Sequence, residues 1–194
     1  MSLANKLTFF RIVLAPVFFS VYLFAGTARW TVPVLWIIFI VSEITDYFDG
    51  LAARKLKEVS DFGKFFDPFA DTLMQITCFL CFVIDGIFPA ILFLLVIYRE
   101  FSILFLRNLM LKKGTAMGAR MGGKIKTVAY IIASGAALLA VSFERLSVHE
   151  TLLPYFKTGA LVIFIISVII AVVSFFDYLL VYRKTSNTAS ENTK

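Results

Sequence analysis

With 194 residues, 60% of them hydrophobic, and a mean hydropathy of +0.88, the chain is too apolar for a water-soluble domain, where the apolar share is roughly 45–50%. A core of this size cannot hide 22 phenylalanines, so a bilayer must form part of the solvent. The net charge of +6 would suit nucleic acid in a soluble protein; in so apolar a chain it reads as the basic bias of cytoplasmic membrane loops, and no nucleic-acid partner is expected.

The pattern predicts an all-α integral membrane protein with six transmembrane helices. Met1–Phe10 forms a short amphipathic segment, with Lys6 toward the headgroups and Leu3, Leu7 and Phe10 dipping inward. The run Phe9–Ala25 follows. It imitates a signal peptide, but Arg11 interrupts its start, so retention is expected. A tight turn at Gly26–Arg29 leads to Trp30–Val41, and Asp85–Gly86 joins Thr72–Ile84 to Ile87–Tyr98, which predicts two antiparallel hairpins. Cys78 and Cys81 form a CxxC inside an apolar run and read as buried thiols, because redox and zinc sites need accessible thiolates. Residues 111–124 carry Gly114, Gly118, Gly122 and Gly123 and predict a flexible basic loop. Val128–Phe143 and Gly159–Leu180 complete the set. The only histidine, His149, falls in an outer loop, so acid–base chemistry must use other groups.

Several runs are shorter than the ~20 residues of a span. They reach that length only with polar flanks, and the polar ends of the second to fifth helices are expected to build one site. Residues 183–194 are polar and predict a disordered tail, leaving 1–182 as a single domain. With the N-terminus inside, 16 of the 19 basic residues fall on the inner side; Arg29, Arg145 and Lys157 do not. Both termini are therefore expected to be cytoplasmic, with the site facing the cytoplasm.

The sharpest signal is Asp46-Tyr47-Phe48-Asp49-Gly50-Leu51-Ala52-Ala53-Arg54, then Gly63 to Asp71. Asp46 and Asp49 are three apart and Asp67 and Asp71 four, so each pair shares a helix face. The first pair ends the second helix and the second opens the third, so a hairpin can gather all four. Clustered carboxylates at a membrane boundary repel one another unless cations neutralise them, and oxygen ligands suit two Mg2+ or Mn2+ ions, which can clamp a diphosphate. Gly50 and Ala53 let a nucleotide approach the backbone, Gly63 permits a turn before the third helix, Pro68 sits near that helix's start, and Arg54 offers charge-assisted bonds to phosphate. A solvated acidic helix end, paired with Arg54, Lys55, Lys57 and Lys64, is the plainer alternative. It leaves the interleaved Gly and Ala unexplained.

The pattern Asp-x2-Asp-Gly-x2-Ala-Arg-x8-Gly-x3-Asp-x3-Asp, filled at every fixed position, resembles that of the CDP-alcohol phosphotransferases. The resemblance implies a six-helix membrane fold, usually a homodimer, with a two-metal site facing the cytoplasm. It implies that Asp46, Asp49 and Asp67 are chiefly metal ligands. Asp71 would be general base toward the acceptor hydroxyl as well as a metal ligand. Residues matching Asp46, Asp49, Gly50, Ala53 and Arg54 would also contact the cytidine diphosphate.

Arg99, Arg107, Lys124 and Lys126 fall near the inner ends of the fourth and fifth helices. Four cations around one cavity suit an anionic acceptor. Arg99 lies in an apolar stretch beside Glu100, and adjacent residues do not share a helix face, so no ion pair within the helix is expected. Lys112 and Lys113 read as membrane anchors. Asn5 to Arg11, Arg99-Glu100-Phe101 and Gly123-Lys124-Ile125-Lys126-Thr127 resemble the phosphatidylglycerophosphate synthase branch, which carries Lys where this chain has Thr72. That branch implies CDP-diacylglycerol as donor, sn-glycerol 3-phosphate as acceptor, and phosphatidylglycerophosphate plus CMP as products. Asn5, Thr8 and Gly63 are then expected at the donor, and Arg11 with the four cations at the acceptor phosphate. The competing expectations are a sibling transferase acting on inositol phosphate, serine or phosphatidylglycerol, and, from another class, a cation transporter, which would place its acids near the bilayer midplane on broken helices.

Overall fold

The computed structural model describes residues 3–56, 61–112, 121–148 and 151–191, with side chains for 6–46, 66, 68–110, 121–148 and 151–183. Six helices occupy them: α1 (Leu3–Phe24), α2 (Thr31–Leu56), α3 (Asp61–Ile84), α4 (Ala90–Lys112), α5 (Met121–Leu146) and α6 (Leu153–Glu191). No strand occurs among the described residues, as apolar surroundings demand: a helix satisfies its own backbone polar groups. His149 lies outside the described residues, as does most of the basic 111–124 loop.

Both expected hairpin turns are present. Gly26 and Gly86 have φ of 60° and 70°, left-handed values that glycine adopts without steric cost. At the end of α3, Gly86 N–H donates to Val83 O at 3.0 Å and Ile87 N–H to Phe82 O at 2.9 Å, a Schellman closure that turns the chain into α4.

α1 packs on α2 and α3, α4 on α3 and α6, and α5 on α6 along much of its length. That last pairing rests on small residues. Ala133, Ala137 and Ala140 of α5 and Ala160, Ser167 and Ala171 of α6 are all buried, which lets two backbones approach closely. An aromatic knot fills the centre: Phe79 meets Tyr130 and Phe164 edge-on at 5.1 and 4.9 Å, while Phe88 stacks on Phe164 at 3.9 Å. Cys78 and Cys81 are buried and unbridged. Outward-facing side chains such as Ile37, Ile91, Phe105, Ile169 and Phe176 are more than half exposed, a surface suited to lipid.

Among the described residues, three stretches are long and apolar enough to cross a membrane: Lys6–Phe24, Met121–Leu146 and Leu153–Arg183; Pro68–Ile84 is a shorter apolar helix. α2 and α4 are long enough, but they carry charge: Glu43 and Asp46 on one, Arg99, Glu100 and Arg107 on the other. α6 has 39 residues, about 58 Å at ~1.5 Å per residue, well beyond a ~30 Å hydrocarbon core. It continues to Glu191, through residues whose composition points to a polar tail.

One local expectation is corrected. α3 begins at Asp61, so Gly63 is helical backbone rather than part of a preceding turn, and Pro68 lies inside the helix. A proline there removes one backbone hydrogen bond just before Asp71.

At the end of the bundle away from the aspartates, Arg145 ties three helices together. It donates to Thr31 Oγ1 at 2.8 Å and to Tyr22 O at 2.9 Å, and its guanidinium lies 4.6 Å from the Tyr22 ring centroid. Tyr22 in turn donates its hydroxyl to Asp85.

Candidate active site

The two described members of the aspartate set converge. Asp46 of α2 and Asp71 of α3 line one cavity of about 250 Å³, with Pro68 and Thr72 beside them. Packing of α1 against both helices supplies a counter-charge: Arg11, 1% exposed, forms a salt bridge with Asp46. Arg11 therefore sits on the acidic side of the site. Thr8, fully buried, lies one turn before it on α1. A residue not singled out from the sequence, Glu43, lies one turn before Asp46 and faces Gln75 Nε2 at 3.4 Å, a long contact for a hydrogen bond.

The opposite wall of the same cavity is cationic. Arg99 and Arg107 of α4 and Lys124 and Lys126 of α5 all line it, as do Glu100, Gly123 and Tyr178. The four cations expected at an acceptor thus come together, and their partners separate them into two kinds.

Arg99 and Lys126 are neutralised in part. Arg99 Nη1 meets Glu100 Oε1 at 2.9 Å, and Lys126 Nζ meets the same oxygen at 3.1 Å. Arg99 also donates through Nη2 to Ser174 Oγ at 3.1 Å and through Nε to Ala171 O at 3.3 Å. This corrects the expectation that Arg99 and Glu100 form no pair. Neighbours on a helix leave in different directions, but these side chains are long: Arg99 reaches Ala171 and Ser174 of α6, Glu100 reaches Lys126 of α5, and the two meet between those helices. The triad carries a net charge of +1, and all three members are buried.

Arg107 and Lys124 are different. Arg107 Nη2 donates to Tyr178 OH at 3.0 Å, with the guanidinium carbon 5.5 Å from that ring's centroid. Its buried Nε has no partner, and neither residue has a carboxylate partner among the described residues. Lys124 is exposed at the start of α5, where unpaired helical N–H groups also favour an anion.

The side chains of Asn5, Asp49, Arg54 and Asp67, and the surroundings of Gly50, Ala53 and Gly63, lie outside the described residues; their backbones belong to α1, α2 and α3. No group of three or more metal-binding side chains occurs among the described residues. Sequence reasoning missed Glu100 as a bridge and missed that α6 reaches the site: Ser174 and Tyr178 each hold a cavity arginine. The one signal was a pair of polar residues four apart, facing one way in a mainly apolar run that also carries Asp177.

A family model for CDP-alcohol phosphatidyltransferase matches residues 1–176. A CDP-diacylglycerol--glycerol-3-phosphate 3-phosphatidyltransferase of Treponema pallidum is 35% identical, across 92% of this chain and 88% of the relative. The Bacillus subtilis protein of the same name is 38% identical across 75% and 81%. A probable phosphatidylglycerophosphate synthase of Mycobacterium tuberculosis is 34% identical across 73% and 68%. Matched along nearly its whole length, with acidic and basic walls meeting at one cavity, the chain belongs to the CDP-alcohol phosphatidyltransferase family.

Proposed function

We propose that the protein transfers the phosphatidyl group of CDP-diacylglycerol to sn-glycerol 3-phosphate, giving phosphatidylglycerophosphate and CMP. The observation that carries this reading is a single cavity with Asp46 and Asp71 on one wall and Arg99, Arg107, Lys124 and Lys126 on the other. A neutral alcohol would leave the second wall uncompensated; a phosphorylated one matches it.

The donor set fits a divalent metal, because carboxylate oxygens opening on one cavity are the ligands Mg2+ and Mn2+ prefer. Asp46, Asp49, Asp67 and Asp71 would hold two such ions, which when bound stabilise charge on the diphosphate. Asp71 accepts the proton of the acceptor hydroxyl as that oxygen bonds to the lipid-linked phosphorus and the bond to CMP breaks. Arg54 bonds the departing phosphate, and Gly50, Ala53 and Gly63 leave room for the nucleotide. Asn5 and Thr8 lie at the donor headgroup, and Arg11 holds Asp46 in place beside them. Arg107 and Lys124 take the acceptor phosphate most directly, with Arg99 and Lys126 behind them.

In this reading residues 1–182 form one domain crossing the cell membrane six times, with both termini and the cavity on the cytoplasmic side, as the distribution of basic residues favours. Membrane lipids surround it, and a second copy completes a homodimer. The test is to supply purified protein with CDP-diacylglycerol and, separately, glycerol 3-phosphate, inositol phosphate, serine and glycerol, and to identify the lipid product by mass. Phosphatidylglycerophosphate and CMP are expected with the first alcohol, lost with a chelator and restored by Mg2+ or Mn2+. A preferred product from another alcohol would overturn the acceptor assignment.

A further inference from the structure

We infer that Tyr178 of α6 is a positioning residue that aims Arg107 at the acceptor's phosphate, with Ser174 one turn earlier doing the same for Arg99. The inference rests on the anion-binding reading of the cavity and extends it to a helix that looks like a plain membrane span.

Three observations carry it. Tyr178 is 1% exposed and lines the cavity. Its hydroxyl accepts from Arg107 Nη2 at 3.0 Å, the one hydrogen bond that guanidinium makes to a described residue. The guanidinium carbon lies 5.5 Å from the ring centroid, within cation–π range, and the hydroxyl sets its direction. Nε is buried without a partner, so the tyrosine bond is what fixes the direction of the guanidinium. Finally, the hydroxyl has a fixed seat. A Cβ on Gly123 would stand 3.0 Å from Tyr178 OH, and a Cβ on Gly122 would stand 3.3 Å from Ser174 Oγ. The two glycines that open α5 are therefore the space in which the two α6 hydroxyls sit. A slight shift of Tyr178 moves Arg107, because a charge-assisted bond holds them together.

The experiment uses full-length protein in detergent–lipid micelles, with KM measured separately for glycerol 3-phosphate and CDP-diacylglycerol. Tyr178→Phe removes only the hydroxyl. It is expected to raise the glycerol 3-phosphate KM by about tenfold, with the CDP-diacylglycerol KM and kcat changed by less than about twofold. Ser174→Ala should raise the same KM by only about two- to threefold, because Arg99 keeps its other bonds. Gly123→Ala displaces the hydroxyl and should behave like Tyr178→Phe. Combined with Tyr178→Phe it should add little, because the atom it strikes is gone. Equal losses in both substrates' kinetics, or full additivity of the double variant, would overturn the inference and leave Tyr178 a packing residue. Arg107→Ala separates the two levels. If it leaves the glycerol 3-phosphate KM unchanged, the anion pocket itself is misplaced. If it raises that KM while Tyr178→Phe does not, the pocket stands and the positioning role falls.

Discussion

The bundle has a cavity at each end, of similar size: about 250 Å³ beside the aspartates and about 300 Å³ beside Tyr22, Asp85 and Arg145. Both contain a buried arginine and a carboxylate. They differ in how completely the charged groups are used by their own neighbours. At the end away from the aspartates Arg145 is bonded to Thr31 and Tyr22, Asp85 receives Tyr22, and Glu144 receives Lys157 at 2.9 Å. Those pairings join α1, α2, α5, α6 and the α3–α4 turn, and they leave a space lined by groups with internal partners. At the aspartate end acids and bases face each other across the space. Glu100 neutralises one of the two cations it touches, and Arg107 and Lys124 keep charge without a carboxylate partner among the described residues. A cavity's volume does not mark a site; charge left facing it does.

The largest effect that would break this contrast is at the acidic wall. Asp71→Asn should lower kcat by about 10²- to 10⁴-fold while CDP-diacylglycerol still binds, measured by CMP release and by nucleotide competition. Retention of more than about a tenth of the turnover would remove Asp71 from the proton step. Next comes the buried triad. Glu100→Gln leaves two cations facing each other and should cost about 3–5 kcal/mol of stability, seen as a lower melting temperature in detergent, with activity lost alongside. An unchanged melting temperature would mean that Glu100 does not hold the wall together. At the end away from the aspartates, Arg145→Leu should cost about 1–3 kcal/mol by leaving Thr31 Oγ1 and Tyr22 O without their partner. The folded fraction should keep wild-type KM values, and a selective rise in either would give the Arg145 cavity a role the comparison denies it. The smallest effect is at Trp36, whose Nε1 donates to Ser142 Oγ at 2.9 Å. Trp36→Phe should cost about 1 kcal/mol with no kinetic change, and a kinetic effect would show that strain at this α2–α5 contact reaches the site.

Much of this contrast is legible in the sequence. The aspartate pattern has fixed spacings, and helical periodicity alone brings each pair to one face. The apolar runs mark every helix, and Gly26 and Gly86 mark the turns. What is not legible depends on which helix packs against which. Arg11 lies at the start of an apolar run near the N-terminus, and only the packing of α1 on α2 assigns it to Asp46. The Arg99–Glu100 pair escapes a rule about neighbouring positions because partners on two other helices, Ser174 for Arg99 and Lys126 for Glu100, draw the side chains to where they meet. Ser174 and Tyr178 sit in a mainly apolar run beside Asp177, and nothing along the chain says that Gly122 and Gly123 leave room for them. Pro68 looks like the start of a helix because the apolar run begins after it, whereas α3 starts seven residues earlier, among polar residues, at Asp61.

The central claim is that the cationic wall reads the phosphate of the acceptor. The most direct test is the ratio of kcat/KM for glycerol 3-phosphate to that for glycerol, in the wild type and in Arg107→Ala, with CDP-diacylglycerol saturating. The account predicts a wild-type ratio far above one that falls by at least about tenfold in the variant, the loss of a charge-assisted contact. A ratio unchanged by the substitution would contradict it.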